Sequence, residues 1–230
     1  MLTTKGAFMK PLFEDKHIIV VEKPQNLPTQ RDKKGGLNLY DQVKDYLEFG
    51  CGIEDPYLGL VHRLDRHTGG LVVFAKTPNA TRTLNDLFAS RCVIKRYTAR
   101  VEGHVTEDIK GLTHQILYDS SVNVSKIVDE SAIGTKTAIL DYEVKSHYKL
   151  AEGSLCDLCV TLHTGRKHQI RAQLAHVGHP ILGDEKYGAK QSKAYGLSIA
   201  LWSSELIFSA FGINYHFTSQ PPFLGIWKIK

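Results

Sequence analysis

The chain has 230 residues, of which 42% are hydrophobic and 23% are charged, and its formal net charge is +5. These values suit a globular protein with one sizeable core and exclude a disordered or fibrous chain. No stretch approaches the roughly 20 apolar residues that cross a bilayer, and the apolar run at 18–21 is too short for a signal-peptide core. We therefore expect a soluble, cytoplasmic protein, and the mild basic excess is compatible with a polyanionic partner.

Apolar runs typical of strands recur along the whole chain. They lie at 17–22, 57–61, 71–75, 93–101, 136–145, 155–162, 199–208 and 213–217. Helical spacing predicts one helix at 39–47, a second capped by Asn79, and a third that starts near His168. Because the strands come as neighbouring pairs, we predict an α+β fold with a mixed, largely antiparallel central sheet flanked by helices and loops. No linker divides the chain, so residues 1–230 are expected to form a single domain.

A polar loop joins the predicted strands at 57–61 and 71–75. It reads His62-Arg63-Leu64-Asp65-Arg66-His67-Thr68-Gly69-Gly70. Asp65 thus stands among cations, and nearby positive charge favours the ionised form of an aspartate. An ionised, positioned carboxylate can act as a nucleophile or a general base. From these residues alone, a solvated charged hairpin loop is an equally good interpretation.

A second cluster of cations opens the third predicted helix. It reads Gly165-Arg166-Lys167-His168-Gln169-Ile170-Arg171. The N-terminus of a helix favours anions, so added positive charge there is unfavourable without an anionic partner. Contact with RNA or DNA phosphates is therefore favoured over a free basic surface.

Two further features have simpler explanations. Lys95, Tyr97 and Ala99 share one face of a predicted strand, where a tyrosine is more often a core residue than a platform for a base. Cys156 and Cys159 lie three apart on a predicted strand and so point to opposite faces, which favours a structural role over metal or redox chemistry. The histidines lack deaminase or zinc-protease spacing, and we expect no metal.

Taken in order, these segments resemble the RluA family of RNA pseudouridine synthases. The resemblance rests on the loop from His62 to Leu71, the strand from Lys95 to Gly103, the segment from Gly165 to Arg171, the following Gly178-His179-Pro180 and Gly183-Asp184 with Tyr187-Gly188, and the opening run from Asp15 to Pro24 with Leu27-Pro28. Two departures stand out. Thr68-Gly69-Gly70-Leu71 replaces the Thr-Ser-Gly-Leu common in the family, and the segment at 203–212 matches poorly. Because the first strand starts near residue 17, we expect no S4-type RNA-binding module.

The resemblance implies isomerisation of a uridine to pseudouridine in ribosomal or transfer RNA, without a cofactor or metal, by a monomer. It gives Asp65 the role of nucleophile or of the base that starts glycal formation. It also implies that Arg171 pairs with Asp65 and keeps it ionised, that Tyr97 stacks on the extruded uracil, and that Arg63 fills the gap in the RNA or holds a phosphate. Further RNA contacts are expected from His62, Arg66, Lys95, Arg166, Lys167 and His168.

Two other classes of function remain open at this point. A non-catalytic RNA-binding protein of the same fold would not need Asp65. A base glycosylase acting on nucleic acid would release free uracil instead of forming a new C–C bond. Loss of the hydrogen from uracil C5 separates the isomerase from both.

Overall fold

The computed structural model describes residues 10–31, 35–129, 133–151, 153–190 and 198–228. The strands are β1 (Phe13–Glu14), β2 (Ile18–Lys23), β3 (Gly59–Leu60), β4 (Gly69–Ala75), β5 (Ile94–Glu102), β6 (Ile109–Asp119), β7 (Val124–Val128), β8 (Lys136–Lys149), β9 (Ser154–Leu162), β10 (Leu201–Ala210) and β11 (Ile213–Thr218). The helices are α1 (Leu39–Asp45), α2 (Pro78–Ala89) and α3 (Gln169–His176), with a π-helical turn at Tyr46–Gly50 and 3-10 turns at Glu185–Tyr187 and Gly225–Trp227. No described helix has the length and apolar character needed to span a bilayer.

The described strands form one sheet in the order β1-β2-β4-β10-β5-β9-β8-β6-β7, with β3 beside β4 and β11 beside β10. The pairing of β10 with β4 is parallel, whereas the other pairings are antiparallel. The predicted α+β fold with a mixed, largely antiparallel sheet is therefore confirmed. Strand β10 lies between β4 and β5, although it follows both by about a hundred residues in the chain.

Strands β2 and β4, near one edge of the sheet, are buried on both faces. Alternate residues of β2 belong to two different core clusters, Ile19 and Val21 to one and Ile18 and Val20 to the other. Helices α1 and α3 cover the first cluster, whereas α2 and β11 cover the second. Burial of both faces explains why these strands appear in the sequence as continuous apolar runs.

The turn into β4 needs two glycines for steric reasons. A Cβ built on Gly69 would overlap the ring of Trp202, and one built on Gly70, whose φ is +107°, would overlap the backbone of Ser203. Both contacts come from β10, the parallel neighbour of β4. The serine that the family commonly carries at the position of Gly69 is therefore excluded here by Trp202.

Most predicted elements are confirmed with shifted ends, and three differ. Helix α2 is capped by Thr77, which accepts a hydrogen bond from Ala80 N at 3.1 Å, so the prediction of Asn79 as the cap is wrong. Proline at the first helical position fixes the start one residue after Thr77. The strand expected at 57–61 is limited to β3, and the sequence analysis missed the hairpin of β6 and β7.

Candidate active site

The loop between β3 and β4 holds Asp65 at a turn that is closed by a hydrogen bond from Thr68 N to Asp65 O of 3.1 Å. The neighbouring Leu64 is clamped by Thr29, whose hydroxyl donates to Leu64 O at 2.8 Å and accepts from Leu64 N at 3.2 Å. Thr29 is itself buried. The backbone on the N-terminal side of Asp65 is therefore fixed by the loop that follows β2.

Lys23, the last residue of β2, binds the backbone of both the loop that follows β2 and the loop that holds Asp65. Its buried ammonium donates to Leu27 O at 2.7 Å, Pro24 O at 3.0 Å and Arg66 O at 3.1 Å. Burial lowers the pKa of Lys23 to about 7, although the charge of Asp65 opposes this shift. Three carbonyl partners compensate the loss of water, so Lys23 acts as a brace under the Asp65 loop. The sequence analysis treated Lys23 only as part of a motif.

Asp65 lines a cleft of about 990 Å³. Its side chain is 28% exposed, and protein on the walls of the cleft displaces most of the bulk water around it. Burial raises the pKa of Asp65 and outweighs the opposing effect of Arg171, Lys167 and Lys23, while Asp184 adds to the rise. The neighbouring cations favour the ionised form of Asp65, as expected, but desolvation is the larger effect and raises the pKa overall.

Arg171 forms its close ion pair with a different carboxylate from the one expected. It donates from Nε to Asp184 Oδ2 at 2.6 Å and from Nη2 to Asp184 Oδ1 at 2.7 Å. Its Nη1 lies 3.8 Å from Asp65 Oδ2, which is within ion-pair range but too long for a hydrogen bond. The expected ion pair of Arg171 with Asp65 is therefore present without a hydrogen bond, and the shorter ion pair of Arg171 is with Asp184. Asp184, to which the sequence analysis gave no role, is the buried partner that orients the guanidinium.

Tyr97 points into the same cleft from β5 and is 7% exposed. Burial and the negative charge of Asp65 both raise the pKa of Tyr97, so its hydroxyl is neutral at physiological pH. Ser203 lies directly opposite on β10, and its interaction with the phenol opposes the shift. The Ser203 hydroxyl is nevertheless buried without a hydrogen bond of good geometry among the described residues.

The cleft brings together every site residue that the sequence analysis named. They are His62, Arg63, Asp65, Arg66, Lys95, Tyr97, Arg166, Lys167, His168 and Arg171. Arg31 and Arg91 line it as well and were missed. Within the described residues, no group of three or more His, Cys, Asp and Glu side chains is arranged to hold a metal ion. The described residues that line the cleft thus present the carboxylate of Asp65, the phenol of Tyr97 and several cationic side chains at the rim.

The two histidines of the set have structural partners. His62 accepts a hydrogen bond at Nε2 from Val73 N at 3.0 Å and stacks on Phe88 with ring centroids 4.7 Å apart. His168 is 7% exposed and lies 3.8 Å from the Asp65 carboxylate. Burial lowers the pKa of each imidazole to about 3, so neither is a cation at neutral pH. The RNA contacts expected from His62 and His168 stay predictions, in which both imidazoles would take part uncharged.

A sequence profile of the RNA pseudouridylate synthase family matches residues 17–176. The chain belongs to this family. The match covers the Asp65 loop, the Tyr97 strand and the Arg171 helix in one continuous alignment. An uncharacterised RNA pseudouridine synthase of Aquifex aeolicus is 35% identical over 223 residues, covering 95% of this chain and 67% of that protein.

Further relatives support the resemblance to the RluA family. Ribosomal large subunit pseudouridine synthase C of Rickettsia typhi is 32% identical, covering 86% of this chain and 62% of its own length. The dual-specificity RNA pseudouridine synthase RluA of Vibrio parahaemolyticus is also 32% identical, with coverages of 86% and 76%. The chain thus spans about three-fifths to two-thirds of the first curated relatives that it matches.

A solved structure extends the likeness to three dimensions. Human RNA pseudouridylate synthase domain containing 4 superposes with a TM-score of 0.73 at 26% identity, covering 92% of this chain and 88% of the human chain. Human RNA pseudouridylate synthase domain containing 1 superposes with a TM-score of 0.77 at 23% identity. The pseudouridine synthase fold is therefore confirmed.

Proposed function

We propose that this chain isomerises a uridine of structured ribosomal or transfer RNA to pseudouridine, with Asp65 as the residue that acts on the ribose. The observation that carries the proposal is the partly desolvated carboxylate of Asp65, which faces Arg171 across the floor of a cleft with a cationic rim. A charge held in such an enclosed site interacts more strongly with a bound substrate than it would in water. The names of the relatives, which include large-subunit rRNA enzymes and a dual-specificity enzyme, support the choice of RNA.

The reaction moves one bond and one proton. In the nucleophilic route, the Asp65 carboxylate bonds to ribose C1′ as the bond from C1′ to uracil N1 breaks. The uracil turns, C5 bonds to C1′ and the carboxylate leaves. In the glycal route, Asp65 instead takes the proton from C2′ as the bond from C1′ to N1 breaks, which leaves a C1′–C2′ double bond. The proton returns to C2′ as C5 bonds to C1′. In both routes the C5 hydrogen departs as a proton and N1 gains one, so no redox partner is needed.

The target base must leave its stack to reach Asp65, at a cost of a few kcal/mol. Two kinds of contact offset this cost. Stacking of the uracil on Tyr97 contributes roughly 1–3 kcal/mol. Phosphate contacts come from the cations at the rim of the cleft, of which Arg63 and Lys167 are exposed. Arg63 is also suited to occupy the space that the extruded base leaves.

The test uses unmodified ribosomal and transfer RNA transcripts labelled with tritium at uracil C5. Release of tritium into water reports loss of the C5 hydrogen, and chromatography of the digested RNA reports pseudouridine. Asp65→Asn removes the charge with almost no change in shape and is expected to abolish release while RNA affinity stays within a few-fold. Asp55→Asn is the matched control, because Asp55 is an exposed residue that pairs only with Lys44 in the described structure.

The outcomes separate the competing functions. Tritium release with pseudouridine in the RNA supports the isomerase. Free uracil without tritium in water supports a glycosylase, and RNA binding without either product supports a binding protein. Turnover by Asp65→Asn near the wild-type rate would remove Asp65 from the mechanism.

A further inference from the structure

His168 has an unusual backbone for a residue that faces a catalytic carboxylate. It is the N-cap of α3 and adopts the left-handed conformation, with φ 51° and ψ 24°. Left-handed backbone is uncommon for residues other than glycine, although histidine is enriched among the exceptions. Such a conformation persists only where surrounding contacts hold it, and it is frequent at functional sites. Here it directs a buried imidazole between Tyr187 and Asp65.

A chain of hydrogen bonds sets the tautomer of this imidazole. Ser125 N donates to the Tyr187 hydroxyl oxygen at 2.8 Å, and the Tyr187 hydroxyl lies 2.9 Å from His168 Nδ1. Among the described residues, the Tyr187 hydroxyl has no other acceptor at hydrogen-bond distance. The phenol proton is therefore donated to Nδ1, which must be unprotonated. In a neutral imidazole the proton then resides on Nε2.

The Nε2 atom is the one that faces the catalytic residue. It lies 3.8 Å from Asp65 Oδ2, the same carboxylate oxygen that Arg171 approaches at 3.8 Å. Because burial and the neighbouring charge of Arg171 lower the pKa of His168 to about 3, the imidazole is a neutral donor. A neutral N–H orients a carboxylate without adding another cation to those already in the cleft.

Tyr187 contacts both groups that flank Asp65. Its ring centroid is 4.8 Å from the guanidinium carbon of Arg171, and it meets the His168 ring edge-on at 5.7 Å. Its hydroxyl is anchored to β7 through Ser125 N, and the Ser125 hydroxyl donates to Lys167 O at 2.5 Å. One side chain therefore fixes the two donors that face Asp65 and ties them to a neighbouring strand.

We propose that Tyr187 is a positioning residue for the reaction, which holds His168 as the Nε2-protonated tautomer aimed at Asp65 and packs Arg171 in place. The proposal rests on the proposed function for its catalytic consequence, but its structural part does not. In the free protein the 3.8 Å gap is too long for a hydrogen bond. Catalytic hydrogen bonds commonly tighten when substrate is bound, so the contact closes when uridine occupies the cleft.

The structural part is tested by nitrogen-15 NMR of the histidine side chains in the RNA-free protein. The His168 signals are assigned by their loss in His168→Asn, since asparagine tolerates left-handed backbone. We expect a proton on Nε2 and an unprotonated, hydrogen-bonded Nδ1 in the wild type. In Tyr187→Phe the Nδ1 shift should move towards that of a tautomer mixture. A wild-type His168 with its proton on Nδ1 would overturn the proposal.

The catalytic part is tested by single-turnover tritium release. Tyr187→Phe keeps the ring against Arg171 and removes only the hydroxyl, so we expect the rate to fall roughly 10- to 100-fold, as small misplacements of reacting groups do. RNA affinity should stay within about two-fold. Tyr215→Phe is the matched control, because it removes a buried hydroxyl that donates to Asp15 in the other core cluster. The control should keep the wild-type rate.

The two arms fail separately. If Tyr187→Phe turns over at the wild-type rate, or if Tyr215→Phe loses as much activity, the positioning role is wrong. If the wild type forms no pseudouridine, the proposed function fails, and the NMR arm still decides the tautomer.

Discussion

Arg171 and Asp184 form a two-point ion pair in which both side chains are buried, with donor–acceptor distances of 2.6 and 2.7 Å. The same guanidinium is 3.8 Å from Asp65. Arg171 is therefore oriented before any substrate arrives, and Asp65 is left without a strong hydrogen bond from it. A carboxylate that is stabilised less in the free enzyme keeps more of its reactivity for the substrate.

Replacing Asp184 with asparagine should damage both stability and catalysis. The change leaves the Arg171 charge buried without its partner, which costs about 3–5 kcal/mol of unfolding free energy. Arg171 is then free to move towards Asp65, so tritium release should fall as well. Urea unfolding and single-turnover assays measure the two effects. Asp55→Asn, which breaks an exposed ion pair, should change neither, and an equally stable Asp184→Asn would contradict the assignment.

Substitutions of Tyr97 separate the role of its ring from that of its hydroxyl. Removing the C5 proton requires an acceptor near the uracil. Because the Tyr97 phenol is neutral, we assign it to this transfer as a relay, whose oxygen accepts the C5 proton as its own proton passes to a neighbouring acceptor. Tyr97→Phe should bind RNA almost normally and lose about 10²–10⁴ in rate, the range expected for one proton transfer. Tyr97→Leu should also lose about 1–3 kcal/mol of binding. Wild-type single-turnover rates for the Phe variant would make Tyr97 a stacking residue only.

RNA affinity should depend steeply on salt through the start of α3. Arg166 is held by a hydrogen bond from Nε to Thr137 O, and Lys167 lies over the Tyr118 ring, so both are presented in defined positions. Replacing both with alanine should reduce the slope of log affinity against log salt by about 0.7–0.9 for each phosphate that is no longer neutralised. The control is the double variant Lys110→Ala with Lys145→Ala, which removes the same net charge from two lysines that pair with Glu143. Equal slopes for the two double variants would place the RNA elsewhere.

Acid should destabilise the protein through His62. Its pKa is lowered to about 3 by burial, whereas an unfolded histidine titrates near 6.5, so the unfolded chain binds the extra proton between these values. Stability from this group is complete above about pH 6.5 and falls as pH drops towards 3 by up to about 1.4 kcal/mol per unit. His62→Gln keeps an acceptor for Val73 N and should reduce this dependence between about pH 6 and 4, leaving the part that His168 contributes. An unchanged slope in urea titrations would show that His62 titrates normally.

The sequence was most informative where burial is two-sided or chemistry is concentrated. The runs that became β2 and β4 were recognisable because both of their faces are buried, so apolar residues follow one another without interruption. The Asp65 loop and the start of α3 were recognisable because loops and helix starts collect charges, and the sheet brings both to one cleft. The roles of Asp65, Tyr97 and Arg171 followed only from the resemblance to the family. The hairpin of β6 and β7 was missed because β6 is half exposed and its apolar residues lack a clear alternation.

Pairing between distant charges was the part that sequence patterns do not determine. Arg171 was expected to pair with Asp65, but the turn after α3 brings Asp184 closer to it. The direction of the Asp65 pKa shift likewise depends on how much water the cleft retains, and the residues adjacent in sequence do not determine this. The cap of α2 was misassigned because Thr77 and Asn79 are both good capping residues, and the proline between them decides the start.

The position of β10 has a consequence for when the candidate site forms during synthesis of the chain. This strand inserts between β4 and β5, so the loop with Asp65 and the strand with Tyr97 have no direct pairing with each other. Contacts this distant along the chain form late, because the entropy cost of closing a long loop comes before the contacts can stabilise the fold. Until residues 201–210 have been synthesised and inserted, the two parts of the candidate site lack the strand that lies between them. We therefore expect the candidate site to form only after residues 201–210 have been synthesised.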